Sequence, residues 1–104
     1  MSDRAIKDPQ ACETMLDVRA GVDALDRELV GLLAKRFGYM RAAARIKPSR
    51  DVVRDEERKA SVIAAAVAEA EALGIPGDVI GDIWERLVEG SIAYEFGEWD
   101  RVRG

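Results

Sequence analysis

The chain contains no histidine, one cysteine and three prolines in 104 residues. Without histidine there is no imidazole general base, no histidine-dependent nucleophilic triad and little scope for a zinc centre. The lone Cys12 has no partner for an internal disulfide and no imidazole to activate it, so it reads as a structural residue ahead of the first helix. Aromatic side chains are only 6% of the total, and strand signals are nearly absent. No apolar run reaches the eighteen or so residues that span a bilayer. The opening MSDRAIKD is charged and has no apolar core behind it. These absences predict a cytoplasmic protein with no membrane partner.

What the chain does have is helix-forming material. Hydrophobic residues make up 48% and charged residues 35%, a balance that excludes a disordered chain and predicts a folded, helix-rich one. A chain of this length fits one domain with a modest core, unless it oligomerises. Net charge is −4, but residues 35–59 carry nine Lys or Arg against four acids while residues 60–104 carry three against nine. A local basic zone inside an acidic protein suits a small anionic ligand and predicts no nucleic-acid partner.

The longest periodic stretch is DVRAGVDALDRELVGLLAKRFGYMRAAARIK, residues 17–47. Apolar or small side chains recur at Met15, Val18, Val22, Leu25, Leu29, Leu32, Tyr39 and Ala43, the spacing of one helix face. Arg36 interrupts that face, and Pro48 ends the helix. Arg36 and Lys47 fall within roughly 20° of each other about 16 Å apart along the axis, so both can look into one pocket. Arg19 lies about 25 Å from Arg36 and about 100° around the helix, so a second chain must supply it if all three serve one site. A helix from about Thr14 to Ile46 is roughly 50 Å long, against a radius of gyration near 13 Å for a globule of about this size. Burying its stripe calls for an intertwined homodimer.

Residues 1–13 are expected to form a flexible lead, with a helical domain over 14–104. Gly21, Gly31 and Gly38 inside the long helix point to close helix approach, since each costs up to about 1 kcal/mol relative to Ala. A second helix is expected from Asp55, its cap, to Leu73, with Val62, Ile63, Ala66, Val67, Ala70 and Leu73 on its apolar face. Gly74 ends it, and Pro76 with Asp78 opens a third helix to Trp99. Ser91 and Glu95 stand one turn apart on the apolar side of that helix. Periodicity alone puts Glu95 at the margin of the stripe, pointing to water. The fold class is therefore all-α, three helices, one long and two shorter.

The inward-prone polar residues are Arg19, Arg36, Lys47, Asp55, Arg58, Ser91 and Glu95. Several cationic donors without a base suit a dicarboxylate held by forked pairs. They suit a reaction needing only orientation and electrostatic support, as pericyclic rearrangements do.

The stretch VRAGVDALDRELVGLLAKRFGYMRAAARIK, the VRDEER segment at 53–58 and SIAYE at 91–95 together resemble the all-helical chorismate mutase family, which also contains isochorismate pyruvate lyases. The resemblance spans roughly residues 14–99. It implies an intertwined dimer with two sites, each borrowing an arginine from the partner, and it implies no cofactor and no metal. Arg36 and the partner's Arg19 are then expected to bind the substrate carboxylates. Lys47 would donate to the ether oxygen whose bond breaks, and Arg58 would add a contact on the carboxylate side. Asp55 would order the loop or meet the ring hydroxyl, and Ser91 would line the same face. Lys47, Glu95 and Arg36 are the expected catalytic residues.

Two positions depart from the family pattern. Glu95 stands where many members have glutamine as second donor to the ether oxygen, and a carboxyl there must carry a proton to donate, which predicts faster turnover at mildly acidic than at alkaline pH. Lys59 stands where many mutases have a glutamate for the ring hydroxyl. Lysine cannot accept that hydrogen bond, so either it turns to solvent and leaves Glu56 or Asp55 to serve, or the substrate is not chorismate. The lyases also lack that glutamate, and the opening PQACETMLDVR is similar to theirs. The implied activity is chorismate mutase, with isochorismate pyruvate lyase as the alternative. A non-enzymatic reading is a helical dimerisation or regulatory module in which Asp23, Asp26 and Glu28 of a second chain offset Arg36.

Overall fold

The computed structural model describes residues 5–104, so the first four residues of the expected lead lie outside the described part. Among the described residues there are three α-helices and no strand: α1 (Met15–Ile46), α2 (Glu56–Ala72) and α3 (Gly77–Val102), with single 3-10 turns at Pro9–Ala11 and Arg50–Val52. The all-α expectation holds. No helix among them is long and apolar enough to cross a membrane. The chain divides into two compact units, one ending at Arg36 and one running from Phe37 to Gly104.

In the first unit, Thr14 closes the start of α1: its Oγ1 accepts the Asp17 N–H at 3.2 Å. The Asp17 carboxylate reaches back to accept the Glu13 N–H at 3.0 Å and Lys7 Nζ at 3.2 Å. Backbone donors that the helix leaves over are met on both sides of the cap. The apolar stripe that follows is uncovered in the single chain, with Val22, Leu25, Leu29 and Leu32 at 51%, 57%, 49% and 64% exposed. Among the described residues Gly31 meets no atom within 4 Å, so the first unit by itself makes no close helix approach at that glycine.

In the second unit, α1 ends ahead of Pro48. Asp55 caps α2 by accepting the Arg58 N–H at 3.0 Å. At the other end of α2, Gly74 takes φ +75, where a Cβ is costly. The Ile75 N–H then bonds the Ala70 carbonyl at 2.9 Å and the Gly74 N–H bonds the Glu71 carbonyl at 3.1 Å, the paired closure of a glycine-ended helix. Close approach of helices occurs at Gly77 and Gly81 instead of in α1. A methyl group on either would lie 3.2 or 3.3 Å from a Val67 methyl of α2.

α3 runs to Val102, three residues past the expected stop at Trp99. No proline follows Trp99, the left-handed glycine Gly104 (φ +79) comes only beyond the helix end, and Arg101 pairs with Glu98 one turn back. The core of this unit is Val53, Val88 and Ile92, with Val62, Ile63, Trp84, Phe96 and Trp99 packed against it. Each fully buried side chain of that kind stabilises by about 1.5–3 kcal/mol.

Candidate active site

Lys47 directly follows the last turn of α1 and faces α3. Its Nζ lies 2.6 Å from Glu95 Oε2 and donates to the Val53 carbonyl oxygen at 3.2 Å. Val53 is itself buried, so the loop between α1 and α2 fixes where that carbonyl stands. Glu95 is 4% exposed, which corrects the expectation that it points to water. Periodicity ranks a residue by its own helix face and cannot register a cation arriving from another element. An unpaired carboxylate at that depth would cost several kcal/mol, and the Lys47 ammonium offsets it.

The contact is ionic and short, and no hydrogen bond accompanies it. Oε2 is a buried side-chain atom without one. A buried acceptor left in that state is an exception in folded proteins, and it retains the capacity for one more polar contact. Ser91, one turn before Glu95 on α3, is 3% exposed, and its hydroxyl donates to the Leu87 carbonyl at 2.7 Å. The second unit thus joins Lys47 and Glu95, with Ser91 beside them.

Asp55 and Arg58 are exposed at the start of α2, where the Asp55 carboxylate is engaged as the helix cap. Arg36 is half-buried at the end of the first unit and Arg19 is exposed near the start of α1. Among the described residues, no group of three His, Cys, Asp or Glu could hold a metal ion.

Lys59 does not turn to solvent. Its Nζ lies 2.8 Å from Glu85 Oε2 and 2.7 Å from Glu89 Oε2. Arg54 forks onto the same Glu89 at 2.8 and 3.1 Å and also reaches Glu56 at 2.9 Å. The hydrogen bonds from Arg54 and then Lys59 hold the Glu89 carboxyl down at about 2. Lys59 is raised in turn, by Glu85 first and Glu89 second. This network ties the loop carrying Val53 to α3, and the reading of the sequence missed it. The available signal was Glu85 and Glu89, two acids four apart on one helix face that call for cations opposite.

The family model for chorismate mutase type II matches residues 18–96, a span that includes every candidate site residue. The chain belongs to the chorismate mutase type II family. Isochorismate pyruvate lyase of Pseudomonas aeruginosa is 27% identical over 99 residues, covering 95% of this chain and 98% of that protein. T-protein of Haemophilus influenzae is 34% identical over 84 residues, covering 80% of this chain but 22% of that protein. T-protein of Enterobacter agglomerans is 35% identical over 79 residues, covering 75% and 21%. This chorismate mutase type II chain therefore spans nearly all of the lyase and about a fifth of the T-proteins.

Proposed function

We propose that the protein is a cytoplasmic chorismate mutase that converts chorismate to prephenate, working as a homodimer whose two sites each draw on both chains. The observation that carries this reading is the buried Lys47–Glu95 contact, with a carboxyl oxygen left short of a hydrogen bond, in a chain of this family. The rearrangement breaks the ether C–O bond as a C–C bond forms in the same molecule, and nothing leaves or joins. The protein need only hold the reactive conformer and stabilise charge growing on the ether oxygen.

In this reading Lys47 donates to that oxygen, and Glu95, when protonated, donates from the other side. Arg36 and the partner's Arg19 fork onto the two carboxylates. Arg58 adds a contact on the carboxylate side, Asp55 orders the loop or meets the ring hydroxyl, and Ser91 lines the same face. The uncovered stripe of α1 supports the dimer. Leu25, Leu29 and Leu32 are each about half or more exposed in one chain, at 57%, 49% and 64%, and burying such a side chain stabilises by up to about 1.5–3 kcal/mol.

Two observations favour a second reading, isochorismate pyruvate lyase. The chain spans the Pseudomonas aeruginosa lyase almost end to end, and Lys59 is engaged by Glu85 and Glu89 instead of offering an acceptor for a ring hydroxyl. On isochorismate the same ether bond would break while a hydrogen passes from the ring to the departing side chain, giving salicylate and pyruvate. One assay separates the two: purified protein is given each substrate, with chorismate loss followed by ultraviolet absorbance and salicylate by fluorescence. Arg36→Ala is expected to abolish turnover while the protein stays a folded dimer. No product from either substrate would remove the enzyme reading and leave the dimerisation module.

A further inference from the structure

The carbonyl end of α1 is held by α3. Trp99 Nε1 donates to the Lys47 carbonyl oxygen at 3.2 Å. The Arg103 guanidinium forks over the same end, Nη2 donating to the Lys47 carbonyl at 2.8 Å and Nη1 to the Ala44 carbonyl at 2.9 Å. Its carbon sits 4.1 Å from the centre of the Trp99 ring. The last carbonyls of a helix have no partner within the helix and carry the negative end of its dipole. A guanidinium arriving from another element answers both needs, and its two arms fix direction as well as distance.

We infer that Arg103 and Trp99 are positioning residues for Lys47. Two donors meet the backbone carbonyl of the residue whose ammonium is proposed to act on the ether oxygen. Those donors set where the Lys47 side chain leaves the helix end, while the Val53 carbonyl sets where its tip arrives. The catalytic part of this inference rests on the proposed function. The structural part, that Arg103 holds Lys47, does not.

The test uses Arg103→Gln and Trp99→Phe in the full chain, with two readouts. In trace acetylation read by mass spectrometry, Lys47 of the wild type is expected to label slowly and that of Arg103→Gln about threefold or more faster, with Lys35 unchanged as internal reference. With whichever substrate the wild type converts, kcat is expected to fall about ten- to a hundredfold, the range for a misplacement on the order of 1 Å. KM should stay within about twofold, because the carboxylate contacts are untouched. Trp99→Phe keeps an aromatic face but removes the N–H donor together with the five-membered ring, so it should show the same pattern more weakly, with activity counted per folded chain. If Lys47 labelling and kcat per folded chain are both unchanged while the melting temperature drops, Arg103 and Trp99 merely hold the fold and the inference is overturned. If the wild type converts neither substrate, the functional reading fails, and the labelling, which needs no substrate, still decides whether Arg103 holds Lys47.

Discussion

Removing Lys47 should expose how much of this protein's stability depends on one ion pair. Glu95 has a side chain 5% exposed and that of Lys47 is 29% exposed. Breaking a buried pair by deleting one partner costs about 3–5 kcal/mol. The part of Lys47 that reaches water lowers this, so Lys47→Met is expected to cost about 2–3 kcal/mol. Glu95→Gln keeps the shape and leaves the ammonium its Val53 carbonyl, so it is expected to cost about 1 kcal/mol. In the double variant no uncompensated charge remains, which predicts a coupling of about 1.5–2 kcal/mol between the two sites. For Lys47→Met alone the melting temperature should fall by about 10–15 °C for a domain of this size. Urea unfolding followed by far-ultraviolet circular dichroism measures all four proteins, at one chain concentration because dimerisation would make stability concentration-dependent. Additive losses, with coupling within about 0.5 kcal/mol of zero, would refute the assignment of the Lys47 ammonium as the charge that permits Glu95 to be buried.

An amide at position 95 donates without a proton taken from solution, so Glu95→Gln is expected to keep or raise turnover if that side chain serves as the second donor; a loss of turnover of about tenfold or more in Glu95→Gln would contradict that role. Glu89 is depressed from 4.5 to about 2, so its pairing with Arg54 and Lys59 stabilises fully above about pH 4.5 and is lost as pH falls towards 2. Urea midpoints should therefore be lower for Glu89→Gln than for the wild type at neutral pH, and those of the variant should vary less with acid across that window. Gly74→Ala places a Cβ in the left-handed region and is expected to cost about 1–2 kcal/mol, read by the same melts. A loss below about 0.3 kcal/mol would mean that the turn can relax without it.

Much of the fold was legible because its signals are local. The three-and-four spacing from Met15 to Ala43 with Pro48 after it, the Asp55 cap and Gly74 each act on residues within a turn of themselves, and α1 and α2 begin and end within a residue or so of the expected places. α3 outran expectation because nothing after Trp99 forbids a helix, and its last turns are secured by Arg103 bonding carbonyls 56 and 59 residues away in sequence. The burial of Glu95 was hidden for the same reason, since the compensating charge comes from Lys47, just past the end of α1. The place of Lys59 was not legible because its two carboxylate partners sit on α3. The Val53 carbonyl carries no side-chain signature at all, so sequence could not have named it.

Subunit complementation tests the central claim, that each site is assembled from two chains. Arg19→Ala and Lys47→Ala proteins, each expected to be inactive alone, are mixed, unfolded together and refolded with substrate turnover as readout. If Arg19 reaches across to the Lys47 of the other chain, half of the dimers formed by chance are mixed and each holds one intact site, so turnover should return to about a quarter of the wild-type level. A mixture as inactive as its parents would contradict a site shared between chains.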